Sequence, residues 1–171
     1  MSKKFIFIMV SFLWIAVAVG LITSKQQIMR LGKTVLLETV PVDPRDFLRG
    51  DYVVLSYKIS TIDLTQIQSE ESYFRRGRRV YVKLQPRGQF WNVVAIKTKM
   101  PASDKGIYLK GKVEFCYDKK LGLNYGIESY FVPEGEGKVM EKVMQGDKSQ
   151  VKVEVLVDTA GNAMIKKVIV Q

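Results

Sequence analysis

The sequence predicts a mainly β domain with one short helix, a β-rich α+β class, preceded by a single N-terminal transmembrane helix. An uninterrupted apolar run lies close to the N-terminus. From residue 34 onward, short runs rich in Val, Ile, Tyr and Phe alternate with turn-forming residues, and no long stretch has a 3.6-residue apolar period. We therefore divide the chain into an anchor at 1–23, a juxtamembrane linker at 24–33 and a β-rich domain at 34–171.

The apolar run extends from Phe5 to Ile22, between Lys4 and Lys25, and contains no charged residue. As a helix, these residues would rise about 27 Å, close to the roughly 30 Å thickness of the hydrocarbon layer. A cleaved signal peptide is the alternative, because Ala16 to Ala18 form an A-x-A-like cleavage site. The apolar run continues beyond that site, which favours a retained anchor.

The charges that flank the anchor do not decide its orientation. Lys25, Arg30 and Lys33 on one side match or exceed Lys3 and Lys4 on the other. An N-terminal anchor with almost nothing ahead of it ordinarily places the following domain outside the cytoplasm. We therefore expect a single-pass membrane protein whose C-terminal domain lies on that side.

The pattern from residue 34 onward predicts seven strands, two hairpin turns and one helix. "QPRGQ" at 85–89 and "DTAGNA" at 158–163 supply glycine where a turn needs a positive φ. The run 138–145 places Val and Met on one helical face, and we expect a polar connection with at most one helical turn at 62–79. The predicted strands are 34–40, 52–59, 79–85, 90–97, 107–117, 151–158 and 164–170.

Composition excludes several classes of active site. The chain has no histidine and a single cysteine, which removes histidine general bases, the usual zinc sites and any internal disulfide. We expect no cofactor and no metal.

The stretch 42–59, "VDPRDFLRGDYVVLSYKI", is predicted to be a helical turn that leads into a strand. Asp43 can cap the turn, and Gly50 fits a left-handed exit from it. In the strand, alternation places Val53, Leu55, Tyr57 and Ile59 on the core face. Nearby arginines offer counter-charges to the aspartates, so the stretch indicates an ion-paired corner more than a cation site.

This stretch resembles the signature of the GDYXXLXY family of membrane-anchored bacterial proteins. The matching residues are Gly50, Asp51, Tyr52, Leu55 and Tyr57, and "GIESYFVPEGEG" at 126–137 is similar to a second block of that family. The resemblance implies an association with polytopic membrane proteins but no activity and no catalytic residue. The candidate binding residues are the members of the two blocks, namely Asp43, Arg45, Asp46, Arg49, Gly50, Asp51, Tyr52, Leu55, Tyr57, Glu128, Tyr130, Pro133, Glu134 and Gly135.

A basic segment suggests how such a module meets its partner. No acidic residue lies between Ser72 and Ser103, and the predicted basic patch consists of Arg75, Arg76, Arg78, Arg79, Lys83 and Arg87. We expect a binding or assembly module whose partners are the membrane, a polytopic membrane protein and anionic lipid headgroups. A merely solvated surface is the alternative, and no nucleic acid is expected outside the cytoplasm.

The alternative function is a membrane-bound hydrolase. "LRGDYVVL" followed by "VYVKL" is similar to the strand order of signal peptidases, in which Lys83 would match the general base. The sequence departs from that family at the nucleophile, because Val42 occupies the position where the serine would stand. Without a nucleophile, Lys83 is most simply a solvent-facing strand residue.

Overall fold

The computed structural model of the protein describes residues 3–40, 52–131 and 151–170. An N-terminal helix, α1, spans Lys3–Leu31. Its large apolar side chains from Phe5 to Ile22 are exposed on every side of the helix, and an unpacked helix that is apolar all round is typical of a membrane span. Within the described residues, α1 is the one helix long and apolar enough to cross a membrane, judged by length and composition.

The helix continues into the β domain with one intervening residue, Gly32. The first strand, β1, begins immediately afterwards and spans Lys33–Val40. The Gly32 N–H donates to the Ile28 carbonyl oxygen at 2.9 Å, and Ile28 is buried against the domain. A Cβ at Gly32 would collide with that same oxygen, so a glycine is required for this close turn. Of the range 24–33, which we expected to be a linker, residues 24–31 are helical.

The domain is built from two larger sheets and one small one. Four short strands lie between Tyr52 and Ser69, namely β2 (Tyr52–Val54), β3 (Ser56–Tyr57), β4 (Thr61–Asp63) and β5 (Gln68–Ser69). The longer strands β6 (Arg79–Arg87), β7 (Phe90–Lys97) and β8 (Ile107–Tyr117) follow. The remaining strands are β9 (Lys120–Asn124), β10 (Ser129–Phe131), β11 (Val151–Val157) and β12 (Ala163–Val170).

The two larger sheets share one hydrophobic core. One sheet has the strand order β12-β11-β1-β3 and the other β4-β9-β8-β6-β7-β5, while β10 pairs with β2. Alternate residues of the first sheet, such as Val35 and Val153, are fully buried with Val82 and Leu109 of the second. This alternation is the signature of strands with one face in a core. The prediction of a β-rich domain behind an N-terminal helix is confirmed.

Several element bounds agree closely with the sequence-based predictions. β7 and β8 have the predicted bounds, and β1, β6, β11 and β12 differ by one or two residues. Both predicted hairpins are present, with Gly88 at φ 66° and Gly161 at φ 81°. The predicted helix at 138–145 lies outside the described residues.

The predicted continuous strand at 52–59 is wrong. It is interrupted at Leu55, and a 3-10 turn occupies Lys58–Ser60. The interruption arises because β2 pairs with β10, whereas β3 pairs with β1, so the chain changes partner at this point. The expected core face is nevertheless correct for Leu55, Tyr57 and Ile59, which are all buried.

The predicted polar connection at 62–79 is also wrong in part. It carries β5 and most of β4 and no helical turn. Ile62 and Phe74 are buried, and the Asp63 carboxylate accepts hydrogen bonds from the N–H and hydroxyl of Thr65. These two apolar anchors and one Asx turn hold the segment against the sheet.

The β8–β9 hairpin was not predicted because its turn contains no glycine. Asp118 and Lys119 both have positive φ, 46° and 60°, as a type I′ turn requires. Aspartate tolerates this conformation better than most residues, and lysine does not share that preference. Gly122 in β9 lies directly beneath the Phe115 ring, where a Cβ would collide with the ring.

Candidate functional site

The structure brings the described parts of the two sequence blocks together. Tyr52 pairs with Phe131, and Val54 pairs with Ser129, in the antiparallel ladder of β2 and β10. Immediately after this ladder, the Leu55 N–H donates to the Glu128 carbonyl oxygen at 2.7 Å. We call this unit, residues 52–59 with 125–131, the motif junction.

Two buried tyrosines tie the motif junction together. The Tyr57 hydroxyl donates to the Ile127 carbonyl oxygen at 2.6 Å, and the Tyr125 hydroxyl donates to the Ile59 carbonyl oxygen at 2.6 Å. Burial raises the pKa of both phenols, and the Glu128 carboxylate adds to this effect. Each hydroxyl therefore stays neutral and satisfies a carbonyl that the core would otherwise leave unpaired.

The Glu128 side chain is hydrogen-bonded to the backbone of its own turn. Its carboxylate accepts hydrogen bonds from the Tyr125 N–H at 2.5 Å and the Gly126 N–H at 2.8 Å. Gly126 has a φ of 78°, which a side chain would strain. Tyr130 is partly buried against the core. In this geometry Leu55, Tyr57 and Glu128 make contacts that stabilise the fold.

The remaining block residues cannot be assigned to this junction. The side chain of Tyr52 lies outside the described part of the chain. So do nine whole residues of the two blocks, namely Asp43, Arg45, Asp46, Arg49, Gly50, Asp51, Pro133, Glu134 and Gly135. The two ranges that contain them, 41–51 and 132–150, adjoin β2 and β10 in the sequence. Their roles in binding stay predictions.

The basic residues are distributed over two ends of β6. Arg75 and Arg76 are exposed in the turn before β6, and neither has an ion pair among the described residues. Arg78 donates to Glu71 at 2.6 Å. Arg79 and Arg87 stand at opposite ends of β6, roughly 27 Å apart at about 3.4 Å per residue. The described structure thus gathers Arg75, Arg76, Arg78 and Arg79, with Arg87 well apart.

Lys83 lies in an ion-paired network on the outer face of its sheet. Its Nζ is 2.5 Å from Asp104 Oδ2, and the Tyr108 hydroxyl donates to the same oxygen at 2.6 Å. Hydrogen bonds from Lys83, Tyr108 and the Gly106 N–H hold the pKa of Asp104 well below its usual range. Burial, and then the contact with Asp104, raises the pKa of Tyr108 to about 12. Lys83 therefore points outward from the sheet, as expected, but it is partly covered and ion-paired.

The surroundings of Lys83 differ from those of a lysine that acts as a general base. A general base must be a neutral amine, whereas an ammonium is the form that pairs with a carboxylate. Among the described residues, no group of three or more Cys, Asp or Glu side chains is arranged to hold a metal ion.

A groove that sequence reasoning missed lies where α1 meets the β domain. It encloses about 590 Å³ between the last turns of the helix and the β11–β12 hairpin. Its polar lining includes Lys25, Lys110, Asp158 and Asn162, and Ile28 contributes to its apolar lining. We call it the joint groove. The sequence did predict the Asp-Thr-Ala-Gly-Asn hairpin that forms one wall of this groove. It could not predict that the hairpin lies near Lys25, because that proximity depends on tertiary packing.

Comparison with known proteins identifies one family. The family model described as GDYXXLXY protein matches residues 14–168, nearly the whole chain. No curated protein and no solved structure matches significantly. The family name describes a sequence pattern and carries no activity.

Proposed function

We propose that this chain, which belongs to the GDYXXLXY family, is a membrane-anchored binding module whose β domain assembles with a polytopic membrane protein. α1 is the single pass, and the β domain lies outside the cytoplasm. The proposal concerns assembly and not catalysis.

The observation that carries the proposal is the short, packed connection between α1 and the domain. One residue separates Leu31, the last helical residue, from Lys33, the first residue of β1. Ile28 is buried, and the Gly32 N–H is bonded back to it. A tether that only retains an enzyme at a membrane works with a flexible linker. A packed connection instead fixes the domain relative to the bilayer, which supports binding to a partner held in that same bilayer.

The turn that carries Arg75 and Arg76 is our proposed contact with the partner. Its position is fixed by backbone hydrogen bonds, since the Gly77 N–H donates to the Val113 carbonyl oxygen at 2.7 Å. Both arginines are exposed and without an ion pair among the described residues. Unpaired guanidinium groups on a fixed turn are suited to bidentate contacts with acidic loops of a partner.

The hydrolase alternative receives no support from these contacts. Lys83 donates to Asp104, and the motif tyrosine Tyr57 is buried with its hydroxyl bonded to a backbone oxygen. Both residues have a structural use that needs no substrate. We therefore propose one function.

Affinity purification of the tagged full-length chain from its own membranes tests the proposal. We expect one polytopic membrane protein to be enriched over a tag-only sample, and Arg75→Gln/Arg76→Gln to reduce its recovery. The matched control is Lys105→Gln/Lys120→Gln, which removes the same charge from two exposed lysines elsewhere. Absence of any enriched polytopic protein would contradict assembly. Equal recovery with both double variants would contradict the arginine contact.

A further inference from the structure

Among the described residues, the lining of the joint groove carries two lysines and one aspartate, an excess of positive charge. Asp158 is its acidic residue, and both carboxylate oxygens are used inside the hairpin. Oδ1 accepts the N–H groups of Ala160 and Asn162 at 2.9 and 2.8 Å, and Oδ2 accepts the Asn162 side-chain amide at 2.8 Å. The Lys110 ammonium donates to Asn162 Oδ1 at 3.0 Å and pairs with no described carboxylate.

Further cations continue from the groove across the outer face of the six-stranded sheet. Tyr81 pairs with Lys110, and Arg79 pairs with Lys112, in the register of β6 and β8. Like charges placed directly across two strands repel each other and destabilise the pair. Neither Arg79 nor Lys112 has an ion pair among the described residues. An anion bound beside them would relieve this repulsion.

The position of the groove along α1 indicates which anion is available. Lys25 follows Ile22, the end of the apolar run, by three residues, a rise of about 4.5 Å. Lys25 and Ile28 lie on neighbouring turns of one helix face, where Ile28 contacts the domain and both line the groove. If α1 spans the bilayer, Lys25 and the part of the groove that it lines stand at the level of the lipid headgroups.

We propose that the joint groove binds the phosphodiester headgroup of an anionic phospholipid from the surrounding leaflet. Lys25 and Lys110, which both line the groove, contact the phosphate. The occupant is a lipid rather than a soluble anion because Lys25, in the lining of the groove, lies only three residues beyond the apolar run. This inference rests on the membrane anchoring in the proposed function but not on the polytopic partner.

Native mass spectrometry of the purified full-length chain in non-ionic detergent tests this inference. The probes are phosphatidylglycerol and phosphatidylcholine, which share acyl chains and differ in net charge. We expect preferential retention of phosphatidylglycerol by the wild type. One basic residue near an anionic surface contributes enough binding energy for about a fivefold change in affinity. The double variant Lys25→Gln/Lys110→Gln should therefore bind phosphatidylglycerol roughly 25-fold more weakly than the wild type.

The control variant Lys105→Gln/Lys120→Gln should bind phosphatidylglycerol as the wild type does, since neither residue lines the groove. The single variant Lys25→Gln alters an exposed helix residue, so it should not affect folding. A roughly fivefold loss of affinity for phosphatidylglycerol with an unchanged unfolding temperature therefore reports on binding alone. Equal retention of the two lipids, or equal losses in the groove and control variants, would overturn the proposal. Because no partner protein is present, this outcome is independent of the assembly experiment.

Discussion

Removal of the Tyr57 hydroxyl should measure how strongly the motif junction holds the fold. Tyr57 is 1% exposed, and its hydroxyl is 2.6 Å from the Ile127 carbonyl oxygen. Tyr57→Phe leaves that oxygen unpaired in the core, at a cost of about 1–3 kcal/mol. For a chain of this size, each kcal/mol corresponds to about 2–4 °C, so we expect unfolding about 2–12 °C lower.

The assay is thermal unfolding of the full-length chain in detergent, followed by circular dichroism in the β-sheet band. Tyr117→Phe is the matched control, because the same hydroxyl is removed from a side chain that is 60% exposed. A surface change of this kind typically stays within about 0.5 kcal/mol. If Tyr57→Phe and Tyr117→Phe unfold at the same temperature, the structural interpretation of the motif tyrosine is wrong.

Three further predictions concern the described residues, and a fourth concerns the proposed orientation of the domain. Gly161→Ala should lower the unfolding temperature more than Gly88→Ala, because both adopt positive φ but only at Gly161 would a Cβ lie 3.1 Å from a backbone oxygen. The raised pKa of Tyr108 stabilises the fold below pH about 10, and this contribution is lost as pH rises through about 12, so Tyr108→Phe should flatten the alkaline decline in unfolding temperature. The lowered pKa of Asp104 gives a pH dependence of the opposite sign, because its stabilisation is present above pH about 4 and is lost on acidification. Asp104→Asn should therefore flatten the decline in unfolding temperature at acid pH. A membrane-impermeant maleimide should label Lys120→Cys in intact cells, and labelling only after permeabilisation would place the domain in the cytoplasm.

The strands that could be predicted from the sequence are those whose local pattern is sufficient. β7 and β8 are continuous runs rich in apolar and aromatic residues, and their bounds were predicted correctly. β9 was missed because its turn uses Asp118 and Lys119 in conformations that local propensity does not favour. The interruption at Leu55 was missed because it depends on two different partner strands, which a local pattern does not reveal.

The candidate sites show the same division between local and long-range information. Both sequence blocks were identified from their residues, yet their ladder joins segments far apart in the chain. Tyr57 was correctly placed on the core face, but its bond to the Ile127 oxygen required the structure. The joint groove was not predictable, because Lys25 and Lys110 are brought together by the packing of α1 on the β11–β12 hairpin.

The most direct test of the central claim is to uncouple α1 from the β domain. A flexible Gly-Ser segment of about eight residues inserted between Leu31 and Gly32 keeps both parts but removes their fixed relation. The same segment inserted between Gly88 and Gln89, in an exposed hairpin turn, is the matched control. We predict that the polytopic partner co-purifies with the wild type and the hairpin insertion but not with the insertion at the joint. Equal recovery from both insertions would contradict the claim that the fixed connection serves assembly.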